Sequence, residues 1–200
     1  RLELGVDIVL GNRLKYRLTK LLENYFNDAA DSAHIISDDD ILKDKLWDKL
    51  ELDKPRLHSR AFLKVQDGCS HYCSYCIVPF VRGNPVSRDM DESVAEAEKI
   101  VASGCPEIVL TGVHLGLYKD LPTLVRRVGK IDGLLRLRFG SIEPFAVTDE
   151  LLSVLADTPT FCRHLHLPLQ SGDDKTLEAM RRGYTQKGFA KIVENVRLRL

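Results

Sequence analysis

The sequence predicts an α/β fold built on a parallel sheet, either open or curled into a barrel. Three observations lead there. From residue 61 onward, short apolar runs alternate with segments whose apolar residues recur at helical spacing. The connections between them are short, as right-handed βα crossovers require. The chain has 200 residues, of which 44% are hydrophobic, enough to bury a core.

The leading residues read as one strand and one helix. Val6, Ile8, Val9 and Leu10 form a β-rich run ended by Gly11-Asn12, and Leu14, Leu18, Leu21 and Leu22 then follow at helical spacing. A lone βα unit cannot bury its faces, so residues 1–27 are expected to be the tail of a small α/β domain. The chain starts with Arg1 and is expected to be a fragment lacking both ends. Residues 28–53 carry nine acids against three lysines and read as part of an acidic linker over 28–58, with a short helix around 41–50.

The regular region, 59–200, starts with a strand at 61–65. Asp89 opens a helix, with Glu92 placed for a capping box. Gly104 suits the left-handed position after that helix, and Pro106 blocks its continuation. Strand 108–110, helix 121–128, strand 134–139 and helix 148–155 follow. A fourth strand is expected at 164–169, then helices over 174–181, ended by Gly183, and over 189–198. In such a sheet the loops after the strands gather at one carboxyl edge, where ligands bind.

Composition excludes several classes. Lys plus Arg equals Asp plus Glu at 29 each, so no global field attracts nucleic acid. No apolar run reaches membrane-spanning length, and no signal segment is apparent, so a cytoplasmic location is expected. Five cysteines are an odd number, which fits reduced thiols rather than a disulfide framework.

Three of the five lie in C-S-H-Y-C-S-Y-C, as Cys69, Cys73 and Cys76, in the loop after the first regular strand. A structural zinc site needs four ligands, and His71 is the nearby fourth candidate. A four-iron cubane normally takes four thiolates. Three would leave one iron open to chelate a small molecule and pass it an electron. Cys105 and Cys162 lack this clustering and read as packing residues.

The C-x3-C-x2-C spacing, with Tyr75 before the last cysteine, resembles the signature of radical S-adenosylmethionine (SAM) enzymes. The run Q-D-G-C-S-H-Y-C-S-Y-C-I-V-P-F-V-R-G (66–83), with Ser87-Arg88, resembles their methylthiotransferase branch. So do T-G-V-H-L-G (111–116), S-I-E-P (141–144), H-L-P-L-Q-S-G (166–172) and M-R-R-G-Y-T (180–185). V-L-G-N (9–12) is similar to the end of that branch's amino-terminal domain.

The resemblance implies a partial β/α barrel of the radical SAM type. It implies a [4Fe–4S] cluster on Cys69, Cys73 and Cys76, which would be both the metal ligands and the catalytic centre. SAM would bind the open iron and be cleaved reductively, giving an adenosyl radical that removes hydrogen from C2 of an adenine; sulfur and a methyl group follow. A second cluster belongs to an amino-terminal region for which this sequence holds no cysteines. The substrate implied is the tRNA anticodon stem-loop, with a reducing electron donor as the other partner and no membrane.

His114 and Gly116 place the chain nearest the subgroup acting on N6-threonylcarbamoyladenosine. The isopentenyladenosine and ribosomal-protein aspartate subgroups are alternatives, and a zinc-stabilised RNA-binding module is an alternative of another class. SAM contacts are assigned to Tyr75, Gly112, His114, Ser141, Glu143, Gln170 and Arg182. Each also has a plain reading: a packed aromatic for Tyr75, a tight turn for Gly112, a loop histidine for His114. The others read as caps, ion pairs or loop polars. Arg82, Arg88, the bases of 181–200, and Arg13, Lys15, Arg17 and Lys20 are candidates for RNA phosphates or for solvated faces.

Overall fold

The structure is a computed structural model that describes residues 8–27, 35–36, 47 and 59–200. Its main sheet has four strands in the order β4-β3-β5-β6. Strand β3 (Ala61–Asp67) lies centrally, parallel to β5 (Glu107–Gly112), which is parallel to β6 (Arg136–Phe139). Strand β4 (Val86–Ser87) pairs antiparallel with the carboxyl end of β3.

The three parallel strands run in sequence order, and this decides between the open sheet and the barrel. An open doubly wound sheet reverses its strand order and carries helices on both faces. Here α3 (Met90–Ala102), α4 (Leu121–Val128) and α5 (Asp149–Ala156) share one core on one face. Ala61, Leu63 and Val65 of β3, and Leu137 and Phe139 of β6, alternate into that core. Phe62 and Lys64 point the other way, as do Arg136 and Arg138, which pair with Glu107 at 3.6 and 2.9 Å. A singly wound sheet with a polar second face is a segment of a β/α barrel.

The helices start and stop where the sequence directs. Asp89, Asp120 and Thr148 accept backbone N–H bonds at the first turns of α3, α4 and α5, each such cap contributing about 1 kcal/mol. Gly104, at φ +92°, takes the left-handed position after α3. Helix α6 (Asp174–Ala179) is shorter than expected, and α7 (Gln186–Arg199) is longer and packs on α5.

The fourth strand expected at 164–169 does not form. That stretch makes a single isolated parallel bridge, His166 with Ser141, and the bridge before it, Phe161 with Leu137, lies outside the expected range. Pro168 has no N–H to give a ladder, and His164 N bonds locally to the Cys162 carbonyl instead. The short elements α2 (Val78–Arg82) and β4, beside the cysteine loop, have no counterpart in the sequence pattern.

In the leading unit, β1 (Ile8–Val9) is followed by a 3-10 turn and α1 (Leu18–Asn27). Strand β1 pairs in parallel with β2 (Ile35–Ile36), inside the acidic stretch read as a linker. The helix expected around 41–50 lies outside the described residues. Asn12 reaches the main body, donating to Asp67 at 3.2 Å. Among the described residues, no helix is long and apolar enough to cross a membrane.

Candidate active site at the carboxyl edge

Strand β3 runs straight into the cysteine loop, and its last residues hold that loop by three means. Gln66 is completely buried. Its amide donates to the carbonyls of Asp67 (2.9 Å) and Gly68 (2.8 Å), and its oxygen accepts from His114 N at 2.7 Å. The Gln66 side chain fills the space beside Gly112, where a Cβ would lie 2.8 Å from its own. The bareness of Gly112 therefore serves this pin between the first two loops.

Asp67 accepts from Gly68 N (2.9 Å), Lys64 (2.7 Å) and Arg82 (3.1 Å). Burial pushes its carboxyl up, but the Lys64 ammonium, the Gly68 N–H and Arg82 outweigh it, so the pKa is lowered. Gly68, at φ +75°, would put a Cβ 2.1 Å from the Asn84 carbonyl oxygen, so no other residue fits without a shift. Cys69 N then donates to the Gly83 carbonyl at 3.0 Å, closing the loop on the far end of α2.

The thiols of Cys69, Cys73 and Cys76 are free and half-buried. Burial raises the Cys69 thiol, and the charges of Cys73, Cys76 and Glu143 add to this against a bond from His71 N at 3.4 Å. The three sulfurs thus feel one another. Among the described residues, however, no three His, Cys, Asp or Glu side chains converge on one point. A single zinc would hold each sulfur about 2.3 Å away. His71, the fourth candidate for zinc, donates Nε2 to the Arg182 carbonyl at 3.2 Å and stacks on Phe145, with centroids 5.0 Å apart. A four-iron cubane would take the three thiolates on separate irons.

Arg182 is the hub of the edge, at 2% exposure. Nη1 donates to Cys73 Sγ at 3.1 Å and to the Tyr75 hydroxyl at 3.3 Å. Nη2 donates to Glu143 Oε2, and Nε to the Tyr184 hydroxyl at 3.3 Å. Burial disfavours its charge, but Tyr184, Glu143 and Cys73 more than compensate, and its pKa is raised. Burial also raises the Tyr75 hydroxyl, against the pull of Arg182, although the residue is 53% exposed. Tyr184 in turn donates to the carbonyls of Pro168 (2.9 Å) and Leu169 (3.0 Å).

His114 is 6% exposed, and both its ring nitrogens are buried without a hydrogen-bond partner. Burial lowers its pKa, helped by His71 and Arg182. Its ring lies 5.3 Å from Phe145 and 6.4 Å from His71. Ser141 bonds His166 Nδ1 at 2.7 Å. Gln170 has φ +65° in an exposed loop.

The edge therefore joins Cys73, Tyr75, Glu143 and Arg182 directly, with Cys69, Cys76 and His114 alongside. Ser141 and Gln170 lie on neighbouring loops. Gln66, Asp67, Phe145 and Tyr184 were not anticipated; the position of each at or just after a strand end, or beside Arg182, was the available signal. Arg82 is tied to Asp67. Arg88 is a buried ion-pair partner of Glu96 and presents no charge to RNA. Of the basic run 181–200, Arg182 is interior and Arg199 pairs with Asp149 at 3.0 Å. Lys15, Arg17 and Lys20 are exposed on the leading unit. Cys105 is buried, its Sγ facing the Glu107 carbonyl at 3.6 Å, and Cys162 is half-buried, so both sit apart from the loop. Two clefts, of about 560 and 630 Å³, are lined by other residues and include no cysteine or histidine.

The profile of the radical SAM superfamily matches residues 63–199. The chain belongs to that superfamily. It is 35% identical, over 93% of its length, to the threonylcarbamoyladenosine tRNA methylthiotransferase MtaB of Bacillus subtilis, of which it covers 42%. It is also 35% identical, over 96% of its length, to the tRNA-2-methylthio-N(6)-dimethylallyladenosine synthase of Legionella pneumophila, covering 44%. The corresponding enzyme of Carboxydothermus hydrogenoformans is 40% identical over 70% of the chain. The chain thus spans less than half the length of these curated relatives. Among solved structures, the radical SAM methyltransferase TsrM of Kitasatospora setae, with tryptophan and a SAM analogue bound, has a similar fold. Its TM-score is 0.58 at 22% identity, over 70% of this chain and 28% of that one. Superfamily membership implies a [4Fe–4S] cluster and SAM, and the donor set fits: three free thiols, a buried guanidinium to offset their charge, and an exposed tyrosine at the mouth.

Proposed function

We propose that this chain is the catalytic core of a tRNA methylthiotransferase, with residues 59–200 as its radical SAM unit and 1–27 as part of a preceding domain. The observation that carries the reading is the cysteine loop at the carboxyl edge of β3, folded over a buried arginine that reaches Cys73. Cys69, Cys73 and Cys76 hold the [4Fe–4S] cluster. When bound, the cluster supplies one electron to SAM, and SAM supplies both the radical and the methyl group.

The residues around it bind, orient and exclude water. Gln66 fixes the cysteine loop against the His114 loop. Tyr75, standing out at the mouth, offers a face for the adenine of SAM. His114, neutral near pH 7 and with both nitrogens unpartnered, offers one donor and one acceptor to a ligand. Phe145 and His71 stack beside it and wall off that side.

The substrate is C2 of an adenosine next to the tRNA anticodon. We assign N6-threonylcarbamoyladenosine, supported by the T-G-V-H-L-G loop and by the similarity to MtaB. Within that loop the specifying residue is His114, because Gly116 has a packing reason of its own: its Cβ would lie 2.1 Å from that of Ala146. The dimethylallyl reading rests on relatives of equal identity over a similar length and of higher identity over a shorter one. Anaerobic iron–sulfide reconstitution should give about four irons and four sulfides per chain. One zinc per chain with no colour would refute the cluster. Nucleoside analysis of tRNA from a strain lacking the intact protein separates the substrates. Loss of the methylthio group from the threonylcarbamoyl nucleoside is expected, and its loss from the dimethylallyl nucleoside would reassign the subgroup.

A further inference from the structure

The segment after α6 clasps the cysteine loop from a distance of more than a hundred residues. Ser74 N donates to the Met180 carbonyl at 3.2 Å, and His71 Nε2 to the Arg182 carbonyl at 3.2 Å. The Arg182 side chain then returns to Cys73 Sγ and Tyr75. Tyr72 and Arg181, on the two sides of this clasp, both take positive φ, at 49° and 57°. Non-glycine residues hold that conformation only where surrounding contacts enforce it.

We infer that Arg182 is a positioning residue that sets the reduction potential of the cluster through Cys73, and that Glu143 is its counterweight. The inference rests on the assignment of Cys73 as a cluster ligand. An N–H donor and a full positive charge at one ligand sulfur stabilise the more negative, reduced form of a cluster, so they raise its potential. Burial keeps water from screening the charge. Glu143 accepts from Nη2 and tempers the effect. The guanidinium transfers no proton: reduction adds one electron from an external reductant to the cluster, and nothing leaves.

The test is a redox titration of the whole reconstituted chain, followed by electron paramagnetic resonance, with iron content and circular dichroism checked for every variant. Arg182→Gln should make reduction about tenfold less favourable, a shift of about 59 mV to more negative potential for a one-electron couple. Arg182→Lys, which keeps the charge, should fall between that variant and the parent. Glu143→Gln should shift the potential the opposite way. An Arg182→Gln protein with full iron content and the parental potential would overturn the inference. If that variant takes up no iron, Glu143→Gln decides: a potential at or below the parent's would overturn it equally. Failure of the parent to bind four irons would instead refute the cluster assignment, so the two failures are distinguishable.

Discussion

Among the described residues, two arginine–glutamate pairs centre on a buried arginine, and they do different work. Arg88, just after β4, pairs with Glu96 on α3, and both side chains are almost wholly hidden. Arg182 pairs with Glu143 at the carboxyl edge. The first pair is turned inward, and Arg88 Nε has no hydrogen-bond partner. The second engages all three guanidinium nitrogens, and two of its acceptors are a thiol and an exposed tyrosine. Burial of an arginine is thus no sign of function by itself; the chemistry of its other acceptors is. A frame pair needs only its carboxylate, whereas a site pair reaches beyond it to groups with reactions of their own.

The comparison is broken most severely at the sulfur. Replacing Cys73 with Ala should abolish iron binding in reconstitution, measured as iron and sulfide per chain, while Cys105→Ala and Cys162→Ala keep the full complement. Loading that survives in Cys73→Ala would place Arg182 in a frame pair like Arg88. The next effect falls on the frame. Glu96→Ala leaves Arg88 buried and uncompensated and should cost about 3–5 kcal/mol in urea unfolding, with iron per folded chain unchanged. Glu143→Ala should cost less, about 1–3 kcal/mol, because Tyr184, Tyr75 and Cys73 still receive the guanidinium, yet it should perturb the cluster spectrum.

The smallest effect comes from His114, beside the site pair. Its folded pKa lies below the unfolded value of 6.5, so the unfolded chain takes the proton first. Stability from this group is complete above pH 6.5 and is lost as pH falls toward the folded pKa. The difference between parent and His114→Asn stability curves should show that slope below pH 6.5 and be flat above it.

Much of this was legible in the residues. Period-two and helical spacing placed β3, β5, β6 and α3 to α5 to within two residues at nearly every end, because those elements are stabilised by their own apolar patterns and caps. The spacing singles out the three cysteines, and the M-R-R-G-Y-T motif singles out Arg182 as a SAM contact; its bonds to Cys73, Tyr75, Glu143 and Tyr184 were not legible there. The segment 164–169 misled, since its apolar residues match a strand while Pro168 and the local bond at His164 prevent a ladder. The pin at Gln66 was hidden for another reason. A buried glutamine between two loops is defined by what it bonds across 48 positions, and no local pattern encodes that. The same holds for Arg88, whose neighbours in sequence give no hint that Glu96 removes it from the surface.

The clasp of residues 180–184 over the cysteine loop has a consequence for how the protein is made. Roughly a hundred residues separate Cys76 from Arg182, which at the usual pace of translation is on the order of ten seconds. Throughout that interval the nascent chain carries three thiols, and the guanidinium partner of Cys73 does not yet exist. The loop gains its held shape only once residues 180–184 have left the ribosome. A chain interrupted before residue 182 would display Cys69, Cys73 and Cys76 without the guanidinium that holds Cys73.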